Sequence, residues 1–161
     1  MRFTALACTA LLAATTVYAA EPVVETKDQA ALLKSNDPQL AANKKLVYDM
    51  WRTFINGYHL DEAGKFLAPE YHQHNPNATT GLAGVIEYFK SLNLKTTPVP
   101  DQITNKVVSI VAERDLVVVS LVSELKDKDG QSYTTTWFDM YRIANGKIVE
   151  HWDSALKGVV P

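Results

Sequence analysis

One cysteine, Cys8, stands in the whole chain, and it falls within a leader that the sequence marks for removal. Arg2 supplies a positive start, Phe3 to Ala14 is apolar or small, and Val17-Tyr18-Ala19 offers small residues at the two positions a signal peptidase reads. Cleavage is expected after Ala19 or Ala20, which makes residues 1–20 a signal peptide. The mature protein then has no disulfide, no thiolate nucleophile and no cysteine metal ligand. Long apolar runs are also missing. Thr15 and Thr16 interrupt the one candidate, which is too short to span a bilayer. Nor does charge of either sign dominate: 16 basic residues face 18 acidic ones. That balance argues against nucleic acid or an anionic membrane as partner. The expected protein is exported, to a periplasm or to the medium, and has no membrane contact once the leader is gone. Some 140 residues remain, enough for one core without covalent staples.

Residues 21–36 are polar and mixed, and read as a flexible N-terminal leader. Asp37-Pro38 is the first firm helix start, an N-cap acceptor followed by proline at the first helical position. Val47, Met50, Trp51, Phe54 and Tyr58 recur at helical spacing, and Asn56-Gly57 is expected to end that helix with a residue at positive φ. A short helix is expected over Glu62–Leu67, and a third from Gly81 to Leu92. After Pro98 and Pro100 the texture becomes β-branched and aromatic. Strands are predicted over Val107–Val111, Leu116–Val122, Tyr133–Ile143 and Lys147–Trp152, separated by Arg114-Asp115, Asp129-Gly130 and Asn145-Gly146. Helices followed by a strand meander give an α+β domain over residues 37–158.

Two-residue turns at Asp129-Gly130 and Asn145-Gly146 would pair Ser120 with Asp139 and Asp139 with Trp152. One face then carries Val118, Ser120, Val122, Trp137, Asp139, Tyr141, Ile143, Ile148, Glu150 and Trp152. The other carries Val117, Val119, Leu121, Phe138, Met140, Arg142, Val149, His151 and Asp153, and a single bulge would swap them. Asp139 lies among aromatic residues, which raise a carboxyl pKa and make it useful near neutrality. It is either an acid/base or a structural hydrogen-bond acceptor. In Tyr71-His72-Gln73-His74-Asn75-Pro76 the two histidines share one side of an extended segment. No third ligand accompanies them, so no metal site is assigned. His74 is either an imidazole at the pocket mouth or, with Asn75, a cap on the turn before Pro76.

Tyr71-x-Gln73-His74-Asn75-Pro76, with Gly81-x-x-Gly84 and Tyr88-Phe89, resembles the first signature of SnoaL-like proteins in the nuclear transport factor 2-like superfamily. Phe138-Asp139-Met140-Tyr141-Arg142, with Asn145-Gly146-Lys147-Ile148-Val149-Glu150-His151-Trp152-Asp153, is similar to their second. The resemblance covers roughly Leu46 to Leu156. It implies a cone, with the N-terminal helices packed in a strongly curved antiparallel sheet and a pocket at the open end. It also implies a dimer, and an acidic pocket residue that works as acid/base without metal or organic cofactor. By position that residue would be Asp139, with His74 near it. Many members carry His-x-His where Ser120-Leu121-Val122 stands here.

Together these readings give an exported protein with a hydrophobic small-molecule pocket, a candidate lyase, isomerase or aldol-type cyclase. Its expected catalytic residues are Asp139 and His74. Its expected ligand contacts are Tyr71, His72, Trp137, Tyr141, Ser120, Trp152 and Trp51, and no cofactor or metal is expected. A homodimer would use the face carrying Val119, Leu121, Phe138 and Met140. The alternatives are a non-catalytic ligand-binding module and a dimeric protein–protein adaptor of the same fold.

Overall fold

The computed structural model describes residues 21–159, so the expected signal peptide lies outside the described residues. Among the described residues no helix is long and apolar enough to cross a membrane.

The helix signals are obeyed at the start. Asp37 Oδ1 accepts the backbone N–H groups of Gln39 (2.7 Å) and Leu40 (3.3 Å), which caps a helix that opens on Pro38. A short helix α1 (Gln29–Leu32) precedes it. Gln29 is buried: its side chain donates to the Ile103 carbonyl and accepts from the Ile103 N–H and the Tyr48 hydroxyl. The segment read as a flexible leader thus contains one element pinned to the domain. Helix α2 (Pro38–Met50) runs on into a π-helical turn over Trp51–Asn56. Its predicted stripe of Val47, Met50, Trp51, Phe54 and Tyr58 is buried throughout.

The exit differs from expectation. Gly57 sits at φ −79 and the left-handed residue is Tyr58, at φ 59. The Tyr58 hydroxyl donates to the Phe89 carbonyl, which helps hold that backbone. Gly57 is needed for space instead, since a Cβ there would lie 2.9 Å from the Thr53 carbonyl and from the His59 ring. Helix α3 (Ala63–Phe66) covers most of the second predicted helix. At Leu67 the chain turns into strand β1 (Leu67–Gln73), which the sequence pattern did not announce. Helix α4 (Leu82–Ser91) follows, with Phe89 against Phe54 at 4.6 Å between ring centroids.

The four predicted strands form as β2 (Val107–Glu113), β3 (Leu116–Lys126), β4 (Ser132–Ala144) and β5 (Lys147–Asp153). They make an antiparallel meander, and β1 adds parallel to β5, giving the order β1-β5-β4-β3-β2. The architecture is the expected α+β one, with the helices packed against a five-stranded mixed sheet. Val117, Val119, Leu121, Tyr141, Ile143 and Ile148 join Val47, Met50, Trp51 and Phe54 in one core. Truncating a fully buried member such as Phe54 to alanine would cost about 3–5 kcal/mol.

Two local departures reset the register. Asn145 and Gly146 do form a two-residue turn with both φ angles positive, and Ala144 opposes Lys147 as expected. One pair later, Ile143 opposes Ile148 while Arg142 opposes Glu150, so Val149 is an extra residue in a bulge. At the other hairpin Asp127 closes onto Gln131, leaving a three-residue loop with Gly130 at φ 79. Val119 rather than Ser120 therefore opposes Asp139, and Asp153 rather than Trp152 does so on the other side. Side chains alternate with period two, so each one-residue shift exchanges the faces of a neighbouring strand.

Candidate active site: a buried carboxylate–imidazole pair in an apolar cavity

The inner face carries, on β4, the alternating set Trp137, Asp139 and Tyr141, as expected. What surrounds Asp139 is new. The reset register brings His151 and Asp153 of β5 to the same face, and Gln73 of the parallel β1 pairs beside His151. With Trp51 and Phe54 from the helical layer and Tyr71 from β1, these residues line a cavity of about 790 Å³.

In its wall Asp139 Oδ1 lies 2.9 Å from His151 Nε2, and both residues are buried. His151 Nδ1 lies 2.8 Å from Gln73 Oε1. That oxygen also accepts the Asn75 backbone N–H at 3.0 Å. A backbone donor fixes the orientation of the Gln73 amide, so His151 Nδ1 must carry a proton. One further proton then lies between Nε2 and Oδ1, either on the carboxyl or on the ring. Burial pushes the Asp139 carboxyl above its ordinary value, against the lowering effect of His151. The second oxygen, Asp139 Oδ2, is buried without a hydrogen-bond partner among the described residues. Such an atom is costly in a core unless it serves something in the cavity.

Asp139, His151 and Asp153 each bring a ligand atom within 4.8 Å of the others, so the donor set for a cation exists. Its atoms are committed elsewhere. His151 spends both nitrogens on Gln73 and Asp139, and Asp153 accepts from Asn75 Nδ2 (2.7 Å) and from the Ala155 N–H (3.0 Å). Of their ligand atoms only Asp139 Oδ2 is left without a partner among the described residues.

Of the residues expected at the site, Asp139, Trp137, Tyr141, Tyr71 and Trp51 line the cavity. Four do not. Ser120 faces the other side of the sheet, where its hydroxyl pairs with Ser109 at 2.5 Å. Trp152 is on that outer side too, stacked on His74 at 5.1 Å and under the Arg142 guanidinium. His74 is bound to Glu150 Oε1 at 2.9 Å, away from Asp139. His72 is exposed on β1. The bulge and the longer loop move Ser120 and Trp152 out. For His74 the cause is the chain direction after β1, which carries it onto the outer cluster. Val119 and Leu121, expected at a dimer face, are buried in the core, whereas half-exposed Phe138 and Met140 remain outside. His151, Gln73 and Asp153 were not singled out. The available signal was the alternation Tyr71-x-Gln73 and His151-x-Asp153, each of which puts two polar or aromatic groups on one face.

The family model for SnoaL-like polyketide cyclases matches residues 45–155. No curated protein matches the chain in sequence. Among solved structures, a polyketide cyclase assigned as putative, from Acidithiobacillus ferrooxidans, is similar at 19% identity, covering 74% of this chain and 89% of that one with a TM-score of 0.51. TerC, crystallised with polyporic acid, is similar at 14% identity over 71% of this chain and 92% of its own, with a TM-score of 0.52. An NTF2-like protein of unknown function from Burkholderia pseudomallei is similar at 17% identity over 71% and 91%, with a TM-score of 0.50. These likenesses show the fold, and the family match, which spans most of the chain, agrees with both signatures and with the cone: the protein belongs to the SnoaL-like polyketide cyclase family.

Proposed function

We propose that the protein is an exported acid/base enzyme of the lyase, isomerase or aldol-cyclase type, acting on a hydrophobic small molecule with Asp139 Oδ2 as the working atom. The observation that carries this is a carboxyl oxygen without a partner among the described residues, on a residue that lines an apolar cavity and is backed by an imidazole. One proton is shared between Asp139 Oδ1 and His151 Nε2, and burial favours its residence on the carboxyl. Passing it from Oδ1 to His151 Nε2 leaves a carboxylate in the wall of the cavity, and the Gln73 carbonyl supports the resulting imidazolium through Nδ1–H. Oδ2 then accepts a proton from the ligand and later returns it. His151 takes the supporting role that the sequence had suggested for His74. TerC, of the same fold, is crystallised with polyporic acid, which is consistent with a small organic ligand in such a cone.

The test uses 5-nitrobenzisoxazole, whose ring opens when a base removes its carbon-bound proton and releases a coloured cyanophenolate. The wild type should open it with a rate that rises as Asp139 ionises. Binding of the compound without ring opening would leave a ligand-binding module instead.

Two further parts of the reading have their own tests. Export rests on the leader sequence, and N-terminal sequencing of the mature protein should begin at Ala20 or Glu21. A homodimer would use the outer sheet face through Phe138 and Met140, the members of the expected dimer face that remain outside. Met140→Arg should then shift sedimentation toward the monomer, and an unchanged value would place any interface elsewhere.

A further inference from the structure

The mechanism above leaves two buried phenols unused. Tyr71 and Tyr141 both line the cavity and are each only 3% exposed. The Tyr141 oxygen accepts a hydrogen bond from Trp51 Nε1–H at 3.0 Å. An indole N–H only donates, so the Tyr141 proton must point elsewhere. The Tyr71 oxygen accepts from Gln73 Nε2 at 3.3 Å. That nitrogen is assigned, because Gln73 Oε1 is already occupied by the Asn75 N–H and His151. Again the phenol's own proton is left over. Among the described residues neither hydroxyl donates to a protein acceptor, although buried donors normally find one. Tyr58, by contrast, donates to Phe89 O, and Tyr48 donates to Gln29.

We infer that Tyr71 and Tyr141 form a two-donor site for a ligand carbonyl oxygen, so that the pocket takes enolisable ketones with an apolar body. This rests on Asp139 acting as base. Strand alternation puts Tyr141 two residues from Asp139 on the same face, and Tyr141 is held flat against His151 at 4.8 Å. Burial, reinforced by the Asp139 charge, pushes both phenols well above their ordinary value. They therefore stay protonated as donors.

A ligand that already carries a negative charge would be repelled by the Asp139 carboxylate, and a neutral ketone would not. As its α-C–H bond breaks, the proton goes to Asp139 Oδ2 and the electron pair moves through the carbon to the carbonyl oxygen. Negative charge thus leaves the carboxylate as it arrives beside the phenols, which donate hydrogen bonds without transferring their protons. Donors aimed at the oxygen where charge develops stabilise that state more than the ground state.

The probe is 2-acetonaphthone, labelled with carbon-13 at the carbonyl, set against 2-ethylnaphthalene as its hydrocarbon counterpart. Bound to the wild type, the ketone should show a carbonyl stretch at lower wavenumber than in hexane. Tyr71→Phe and Tyr141→Phe should each raise that wavenumber and lower the ketone-to-hydrocarbon affinity ratio about tenfold. A wild-type band at the hexane position overturns the inference without recourse to variants. So does a band and ratio unchanged in both variants. Exchange of the ketone's methyl protons for deuterium tests the base separately: a lowered band without accelerated exchange keeps the donor pair and removes Asp139 as base. If neither compound binds, the pocket reading falls, and the inference with it.

Discussion

Two histidine–carboxylate pairs sit on opposite faces of the same sheet, both with Nε2···O distances of 2.9 Å. Inside the cone His151 meets Asp139, and outside it His74 meets Glu150. Their carboxyl groups are shifted in opposite directions. Burial raises Asp139, whereas the hydrogen bonds from His74 and then Arg142 lower Glu150. Distance alone therefore says little about a pair. Glu150 accepts on both oxygens, one from His74 and one from Arg142, and keeps access to water. Among the described residues Asp139 has His151 as its one hydrogen-bond partner, little access to water and a second oxygen without a partner. The outer pair belongs to a chain of charges running through Arg142 to Asp115, a surface device. In the proposed function the inner one is the store of a proton that a ligand takes or gives.

The largest difference should appear in reactivity. Asp139→Asn keeps the shape and removes the titrating group, and should slow opening of 5-nitrobenzisoxazole by about 100- to 10,000-fold. Glu150→Gln should leave that rate within about twofold, because its carboxyl does not face the cavity. Equal losses in the two variants would abolish the contrast.

Stability should separate the pairs next. His151→Leu strands a buried carboxyl oxygen and should cost about 1–3 kcal/mol in urea unfolding. His74→Leu breaks a half-exposed pair and should cost less than about 1 kcal/mol.

The pH dependence should carry opposite signs. Asp139 has a folded value above its unfolded one, near 3.8. Its contribution is fully present below the unfolded value and is lost as pH rises through the folded one. Glu150 has a folded value below its unfolded one, near 4.5. Its contribution is present above the unfolded value and is lost as pH falls through the folded one. Carbon-13 titration of the two carboxyl carbons reads the shifts directly. Asp139→Asn and Glu150→Gln should remove the corresponding slopes from unfolding curves. An Asp139 midpoint at or below the ordinary value would end the proposed division of labour.

Salt should give the smallest effect. At 1 M ionic strength the screening length is about 3 Å. The Glu150 midpoint should move toward its ordinary value, while that of Asp139, shifted mainly by burial, should hardly change.

Much of the fold was written in local pattern. Asp37-Pro38 capped the helix it announced, the 47–58 stripe was buried as a unit, and all four predicted strands formed where turn residues bounded them. Within β4 the alternation Trp137, Asp139, Tyr141 correctly grouped a carboxylate with two aromatic walls. Strand β1 was missed because Leu67 to Gln73 contains Pro69 and Glu70 and lacks a β-branched run. Its pairing is parallel and at the sheet edge, where proline is tolerated and where the partner, β5, lies some 80 residues further along. His74 was placed at the pocket on the strength of its motif, and nothing local reveals that the chain leaves β1 toward Glu150.

What the sequence determined by itself was therefore each element and the inward set of side chains within the central strand. What the tertiary structure decided was which residues of neighbouring strands join that set. One extra residue at Val149 and a three-residue rather than two-residue loop before Gln131 were enough to exchange Ser120 and Trp152 for Val119 and Asp153 opposite Asp139, and to bring in His151. The reason is geometric. A strand's side chains repeat every two residues, so membership of a face is fixed within a strand by counting. Between strands it depends on an offset that turns and bulges set and that only the packed sheet reveals.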